Sequence, residues 1–374
     1  MSEAPPAGVL TVDLDAIARN FRMLADRVQP AECAAVVKAD AYGLGAAEVA
    51  PALVRAECHN FFVAQLGEGV ALRRTLRRVK SNATIYVLSG LMENERALFE
   101  ANGLVPCLND LGQLENWTAF CRARGQKLPC ALHIDTGMNR LGLPPAELDQ
   151  LADDPKRLVG VELWLIMSHL ACADETDHPM NRRQLGRFRA ALDRLPHCRA
   201  SLAASSGIFL GREFLFNTVR PGVALYGANP TPGAPNPMAQ VIRLQGRILQ
   251  VRDVDRGETV GYGATHRFTR PRRIATVSVG YADGFLRSLS NRGSAAMGGV
   301  TAPIVGRVSM DLLTLDVSAA PPESARPGAM VELIGPSRSI DDVAAEAGTI
   351  PYEILTALGP RYERHYTGGA GSTE

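Results

Sequence analysis

Two textures divide the chain. From residue 33 to about 228, short apolar runs alternate with segments whose apolar residues recur at i, i+3 and i+4. The runs are CAAVVK (33–38), NFFVAQL (60–66), ATIYVLS (83–89), LVPCLN (104–109), CALHID (130–135), GVELWLIMSH (160–169), RASLAA (199–204) and VRPGVALY (219–226). Apolar on both faces, they predict buried parallel strands. The segments between them, at 45–56, 67–76, 94–102, 111–125, 145–152 and 182–195, predict amphipathic helices. A further helix is expected over 13–25, capped by Asp13. Eight strands alternating with helices predict an α/β chain that opens with a (β/α)8 TIM barrel. No G-x-G-x-x-G turn follows the first run, which argues against an open doubly wound sheet.

Residues 229–237, NPTPGAPNP, read as a linker. Beyond it, 241–254, 272–284, 303–317 and 329–335 are β-rich runs separated by Gly, Pro and Asn. One late helix, SIDDVAAEAG (339–348), is expected, with Ser339 or Asp341 as its cap. This half predicts a mostly β, mostly antiparallel C-terminal domain. The expected division is 1–235 and 236–374, with the first residues candidates to join the β domain.

Composition adds exclusions. With 46% apolar residues, 21% charged residues and a net charge of +1, nothing indicates a nucleic-acid surface or an acidic tail. No signal peptide and no stretch long enough to span a membrane is visible, so a cytoplasmic protein is expected. The seven cysteines lack CxxC or Cys/His ligand spacing; reduced, mostly buried thiols and no metal site are expected.

The chemistry starts from a lysine. The chain has only four, at 38, 80, 127 and 156, among 40 basic residues, and Lys38 ends the first apolar run. Arginine cannot form a Schiff base and lysine can. In a barrel, function gathers at the C-terminal strand ends. Those ends carry Lys38, Arg140, His169, Ser205–Ser206–Gly207 and Arg220–Pro221–Gly222. Small-residue turns after the last strands, with free N–H groups and a serine hydroxyl, suit a phosphate. A reactive lysine and a phosphate site on one rim suggest pyridoxal 5'-phosphate, held as an imine on Lys38, with Tyr42 donating to its phosphate.

The segments VVKADAYGLG (36–45), HIDTGMNRLG (133–142), SHLACAD (168–174), VRPGVALYG (219–227), VGYGATH (260–266), VSVGYADG (277–284) and GRVSMDL (306–312) occur in the order seen in alanine racemases, and the chain resembles that fold-type III pyridoxal-phosphate family over nearly its whole length. The resemblance implies a cytoplasmic homodimer that racemises alanine, supplying D-alanine for peptidoglycan or catabolising it. It also implies two acid/base groups flanking the substrate Cα: Lys38 on one face and Tyr262 of the partner subunit on the other. Arg220 falls on the arginine facing the pyridine nitrogen, and His169 on the histidine supporting it. Arg140 and Met310 match the carboxylate contacts, and Ser206, Gly222 and Val223 the phosphate contacts. Tyr281 and Asp311 resemble the entryway. Three departures stand out. His133 replaces a lysine that is commonly carbamylated and orients the arginine, so that Arg140 needs another orienting group: His133 itself or an anion. Asp40 stands where Asn is common. The C-terminal phosphate tyrosine is Tyr366 or Tyr362, with Tyr366 the better match to the closing pattern. The rival readings are a broad-specificity racemase or decarboxylase of the same fold, a pyridoxal-phosphate carrier, and a cofactor-free Schiff-base aldolase.

Overall fold

A computed structural model describes residues 6–369. A parallel sheet runs through Ala35–Val36, Asn60–Val63, Thr84–Val87, Leu104–Leu108, Leu128–His133, Val161–Met167 and Ala200–Ser201 in sequence order. Thr218–Val219 pairs in parallel with Glu32–Cys33. The ring closes through Ala34 N–H to Val219 O and Val36 N–H to Pro221 O, each 2.9 Å, while Arg220 N–H reaches Ala203 O at 2.9 Å. The expected barrel is therefore present, and eight strand positions contribute to it. Its strands are almost wholly buried, with Phe61 and Phe62 fully so, as a sheet covered by helices requires.

The elements are shorter than the apolar runs that announced them. The first strand stops at Val36, so Lys38 lies beyond it. The last run, 219–226, is not a strand throughout: Val223–Tyr226 is a 3-10 turn that follows a strand of only two residues. Apolar content alone does not separate a buried strand from a buried turn. Helix Leu14–Val28 begins at Asp13, whose Oδ1 accepts Ala16 N–H at 2.9 Å.

The second half is built on an eight-stranded sheet. Ile242–Val254 is its spine. The first part of that strand pairs with Gly8–Asp13 and Met330–Ile334, and after a bulge at Leu249 the rest pairs with Arg272–Val277. Pairing is antiparallel except between Gly8–Asp13 and Glu363–Thr367. Two late helices follow, not one: Ile340–Ala347 and Pro351–Ala357. Ser339 caps the first. Asp341 instead accepts Asn229 N–H and Asn236 Nδ2, and so pins both ends of the proline-rich linker. The seven cysteines are free, five of them buried.

Candidate functional site

Lys38 begins a turn that no sequence rule would assign. Ala39, Asp40, Ala41 and Tyr42 have φ of 51, 53, 54 and 56°, a run of left-handed residues without a glycine. Each such residue costs roughly 1–2 kcal/mol, so the turn must be held from outside. Glu68 does part of this: Oε1 accepts Ala39 N–H at 2.6 Å and Oε2 accepts Ala64 N–H at 2.7 Å. Asp40 Oδ1 accepts Ala46 N–H at 2.7 Å and ties the turn to helix Ala46–Arg55. Arg364 donates to Gly43 O at 2.6 Å, and Tyr366 Oη to Leu44 O at 3.0 Å. The result is a partly buried amine. Burial, then the Arg140 charge, lowers the Lys38 pKa, with Glu68 opposing.

Arg220 is 3% exposed and has no carboxylate partner among the described residues. One of its terminal nitrogens donates to Ser201 Oγ. The other lies 2.7 Å from Ser168 O and 3.5 Å from His169 Nδ1. Burial lowers it to about 10, which leaves it protonated at neutral pH. The Arg220 N–H contact to His169 needs an unprotonated Nδ1, and burial followed by the charges of Arg220, Arg140, His133 and Lys38 drives the His169 pKa down to about 3. Arg140, His133 and Lys38 thus lie within electrostatic reach of the imidazole that Arg220 touches.

The loop that carries Arg140 is organised by Asp135, whose Oδ1 accepts the N–H groups of Gly137, Met138 and Asn139 at 2.8, 3.0 and 3.2 Å. Leu143 N–H then returns to His133 O at 2.7 Å. Arg140 is left exposed, with no side-chain hydrogen bond or ion pair among the described residues.

On the far side, Ser205 Oγ accepts Gly222 N–H at 2.9 Å and Ala224 N–H at 3.2 Å, which ties the two last loops together. The N–H groups of Ser206 and Val223 have no acceptor among the described residues. Tyr42 packs against Tyr226, with centroids 4.7 Å apart, and its hydroxyl fills the space where a Cβ on Gly222 would sit, 2.1 Å away. Lys38, Tyr42, His169, Arg220, Gly222, Val223, Ser206 and Arg140 thus share the barrel's C-terminal rim. A cavity of about 720 Å³ at the opposite end, lined by His59, Tyr86, Trp164 and Arg199 among others, contains none of them.

The C-terminal tyrosines separate cleanly. Tyr362 is 4% exposed, packed on Gly8, with an unpartnered hydroxyl. Tyr366 spends its hydroxyl on Leu44 O. Tyr352, which sequence reasoning passed over, stands with its ring 6.0 Å from that of Tyr42. Burial, then Asp174 of the SHLACAD loop, pushes its phenol up to about 12.

Tyr262 and Met310 lie elsewhere. Tyr262 is 73% exposed and Met310 54% exposed, with Tyr281 and Leu312 also exposed. The cavity beside Tyr262, about 720 Å³, is lined entirely by β-domain residues between 252 and 314. Two of the family-like segments interlock there: Tyr281 N–H meets Ser309 O at 3.0 Å and Ala282 N–H meets Met310 O at 2.9 Å. A side chain on Gly280 would strike both carbonyls. Arg361 bridges Asp283 at 3.1 Å and Asp311 at 2.8 Å.

Residues 12–230 match the family of alanine racemase N-terminal domains, and 241–366 that of alanine racemase C-terminal domains. The chain is 54% identical to the alanine racemase of Rhodospirillum rubrum over 361 residues, 96% of each chain. It is 49% identical to a catabolic alanine racemase of Mesorhizobium japonicum, covering 99% of this chain and 96% of that one. Among solved structures, an alanine racemase from Bartonella henselae with covalently bound pyridoxal phosphate superposes with a TM-score of 0.92 at 41% identity, covering 97% of this chain and all of the other. The biosynthetic alanine racemase of Pseudomonas aeruginosa gives 0.89 at 36%, with the same coverage.

Proposed function

Since this chain belongs to the alanine racemase family, a family of isomerases, we propose that it interconverts L- and D-alanine using pyridoxal 5'-phosphate and two proton-carrying residues from two subunits. The observation that carries the reading is the cationic rim: Lys38, Arg140 and a buried Arg220 without a carboxylate among the described residues all follow C-terminal strand ends of the barrel. Such a site suits a dianionic phosphate and a carboxylate.

The residues fit the cofactor. Lys38 would hold it through its amine. Tyr42, Tyr352, Ser206 and the N–H groups of Ser206 and Val223 would meet its phosphate, and glycine at 222 keeps the approach open. The Arg220 Nε–H, without an acceptor among the described residues, would face the ring nitrogen. When bound, pyridoxal phosphate spreads the charge left on the substrate Cα as its proton departs. Because Arg220 does not give up its proton, it would leave that nitrogen unprotonated and keep the spreading modest, which would favour prompt return of the proton over transamination.

Arg140 would hold the substrate carboxylate. The Lys38 amine, with its pKa lowered, takes or returns the proton on one face of Cα. The opposite face needs a second group, and the partner subunit's Tyr262 would supply it. Its exposure in one chain, in a cavity separate from Lys38, supports an active site completed by a homodimer, to which Met310 would also contribute. The product D-alanine would feed peptidoglycan or be catabolised; relatives named for either role share this fold.

The test is direct. Purified protein should absorb in the visible, and borohydride should fix the chromophore to Lys38. L-alanine in D2O should give D-alanine deuterated at Cα. A colourless protein, or one that racemises arginine and lysine as fast as alanine, would overturn the assignment.

A further inference from the structure

The hollow of about 720 Å³ at the barrel end away from Lys38 takes no part in the chemistry proposed above. A smaller one of about 190 Å³ adjoins it, and the two share Asn82, Thr84 and Trp164 as walls. The larger has the size of a small-molecule site. Residues at that end of a barrel ordinarily serve stability, and buried polar groups that do so are hydrogen-bonded. Tyr86 departs from this. It is the third residue of strand Thr84–Val87 and 7% exposed, with its ring stacked on Phe62 at 4.6 Å and 11°. Its side chain lines the larger hollow, and its hydroxyl has no hydrogen bond among the described residues. Burial pushes the phenol up, so the group stays an O–H donor at neutral pH.

The charged groups around the two hollows are already matched. Arg199 donates to Glu32 and to Thr218 Oγ1. Arg73 donates to the carbonyls of Asn102, Ala83 and Gly103 at 2.9, 3.0 and 3.1 Å, and Glu100 pairs with Arg124 at 3.3 Å. His59, also on the wall, is exposed. The side chains of Asn82 and Thr84, like the Tyr86 hydroxyl, have no hydrogen bond among the described residues, and all three are uncharged. Trp164 is 40% exposed, yet its ring is fixed, because Nε1 donates to Glu162 Oε2 at 3.1 Å. An indole held open on a wall common to both hollows is a stacking surface. An ion entering here would find no unmatched counter-charge to offset its desolvation. A flat, uncharged ring with acceptors on its edge would find both a face and donors.

We propose that this end of the barrel is a second ligand site, which takes a neutral heteroaromatic ring of nucleobase type. The ring lies on Trp164, one of its acceptors meets the Tyr86 hydroxyl, and Asn82 and Thr84 read the rest of its edge. The site is separate from the rim that carries Lys38 and does not depend on the function proposed above.

The chain has only two tryptophans, and both Trp117 and Trp164 line the smaller hollow, so its indole fluorescence reports on this place. Adenine titrated into the intact holoenzyme should quench that fluorescence saturably. Trp117→Phe, which leaves Trp164 as the sole reporter, should keep the quench. By calorimetry, Tyr86→Phe, which retains the ring and loses only the hydroxyl, should weaken adenine about fivefold, the loss of one hydrogen bond. Trp164→Leu should weaken it about tenfold, the loss of a stacking face. Benzoate, flat but anionic and without a ring acceptor, should bind at least tenfold less tightly than adenine. No saturable binding of adenine up to its solubility limit overturns the proposal. So does binding that neither Tyr86→Phe nor Trp164→Leu alters, or benzoate binding as tightly as adenine. Sedimentation in which Trp164→Leu lowers the oligomeric state, with no adenine bound to the parent, would make this face a contact between copies and also overturn it. Each variant is checked for parental racemisation and unfolding midpoint, and Tyr86→Phe decides the hydrogen bond even if Trp164→Leu does not fold.

Discussion

On the function proposed above, the barrel rim and the exposed face of the β domain hold the two halves of one chemistry, and they do so in opposite states. On the rim, Arg220, the last loops and the turn after Lys38 are fixed by their own chain. Arg220 is buried with three partners, Ser205 ties two loops, and Glu68 holds the turn after Lys38. On the β face, the backbone is equally well fixed, with Tyr281 and Met310 loops interlocked, yet the side chains of Tyr262 and Met310 stand in the open. The difference teaches where preorganisation ends in one chain: the rim is largely built by its own chain, whereas Tyr262, on the function proposed above, would be matched only by a second copy.

The strongest way to break this comparison is Lys38→Ala, expected to cost about 10⁴-fold or more in racemisation by removing a base and the attachment point. Tyr262→Phe should slow proton transfer on one face by about 10²–10³-fold, read as unequal losses of solvent deuterium exchange from L- and D-alanine. Equal, slight losses would remove the two-base assignment. Mixing the two variants sharpens the point. Random re-pairing puts one intact site in each mixed dimer, so activity should return to about one quarter of the parent's; no recovery would place both groups in one chain. Ser205→Ala frees two buried N–H groups and should lower stability by about 1–3 kcal/mol, seen in urea unfolding. The pH dependence is gentler. His133 titrates at about 4 and His169 at about 3 in the fold, both below the unfolded value of 6.5. Between those values the unfolded chain binds more protons, so stability is intact above about pH 6.5 and falls as the pH drops toward 4. His133→Gln should flatten part of that slope.

Periodicity made the architecture legible, because a buried parallel strand and an amphipathic helix each leave a long signature. The rim was legible too: Lys38, Arg140, His169 and Arg220 all follow strand ends. What escaped depends on contacts between residues far apart in the chain. Apolar content ran Lys38 into a strand, since nothing local in KADAY announces four left-handed residues without glycine. VALY was read as strand for the same reason. That Tyr352 stands beside Tyr42 was not legible, because this closeness is set by how helix Pro351–Ala357 packs, and motif spacing does not carry that. His133 showed only as a departure from a pattern; its tautomer became readable once Asn109 was placed beside it.

The strand Glu363–Thr367 lies beside Gly8–Asp13, and from it Arg364 and Tyr366 reach the carbonyls of Gly43 and Leu44. The chain is thus sewn shut near the amine by residues 321 and 322 positions further along. While a ribosome still holds that strand in its tunnel, the bend after Lys38 lacks two of its outside ties, so a nascent chain should not bind cofactor as the finished one does. Competence for chemistry would arrive once that strand has emerged and paired.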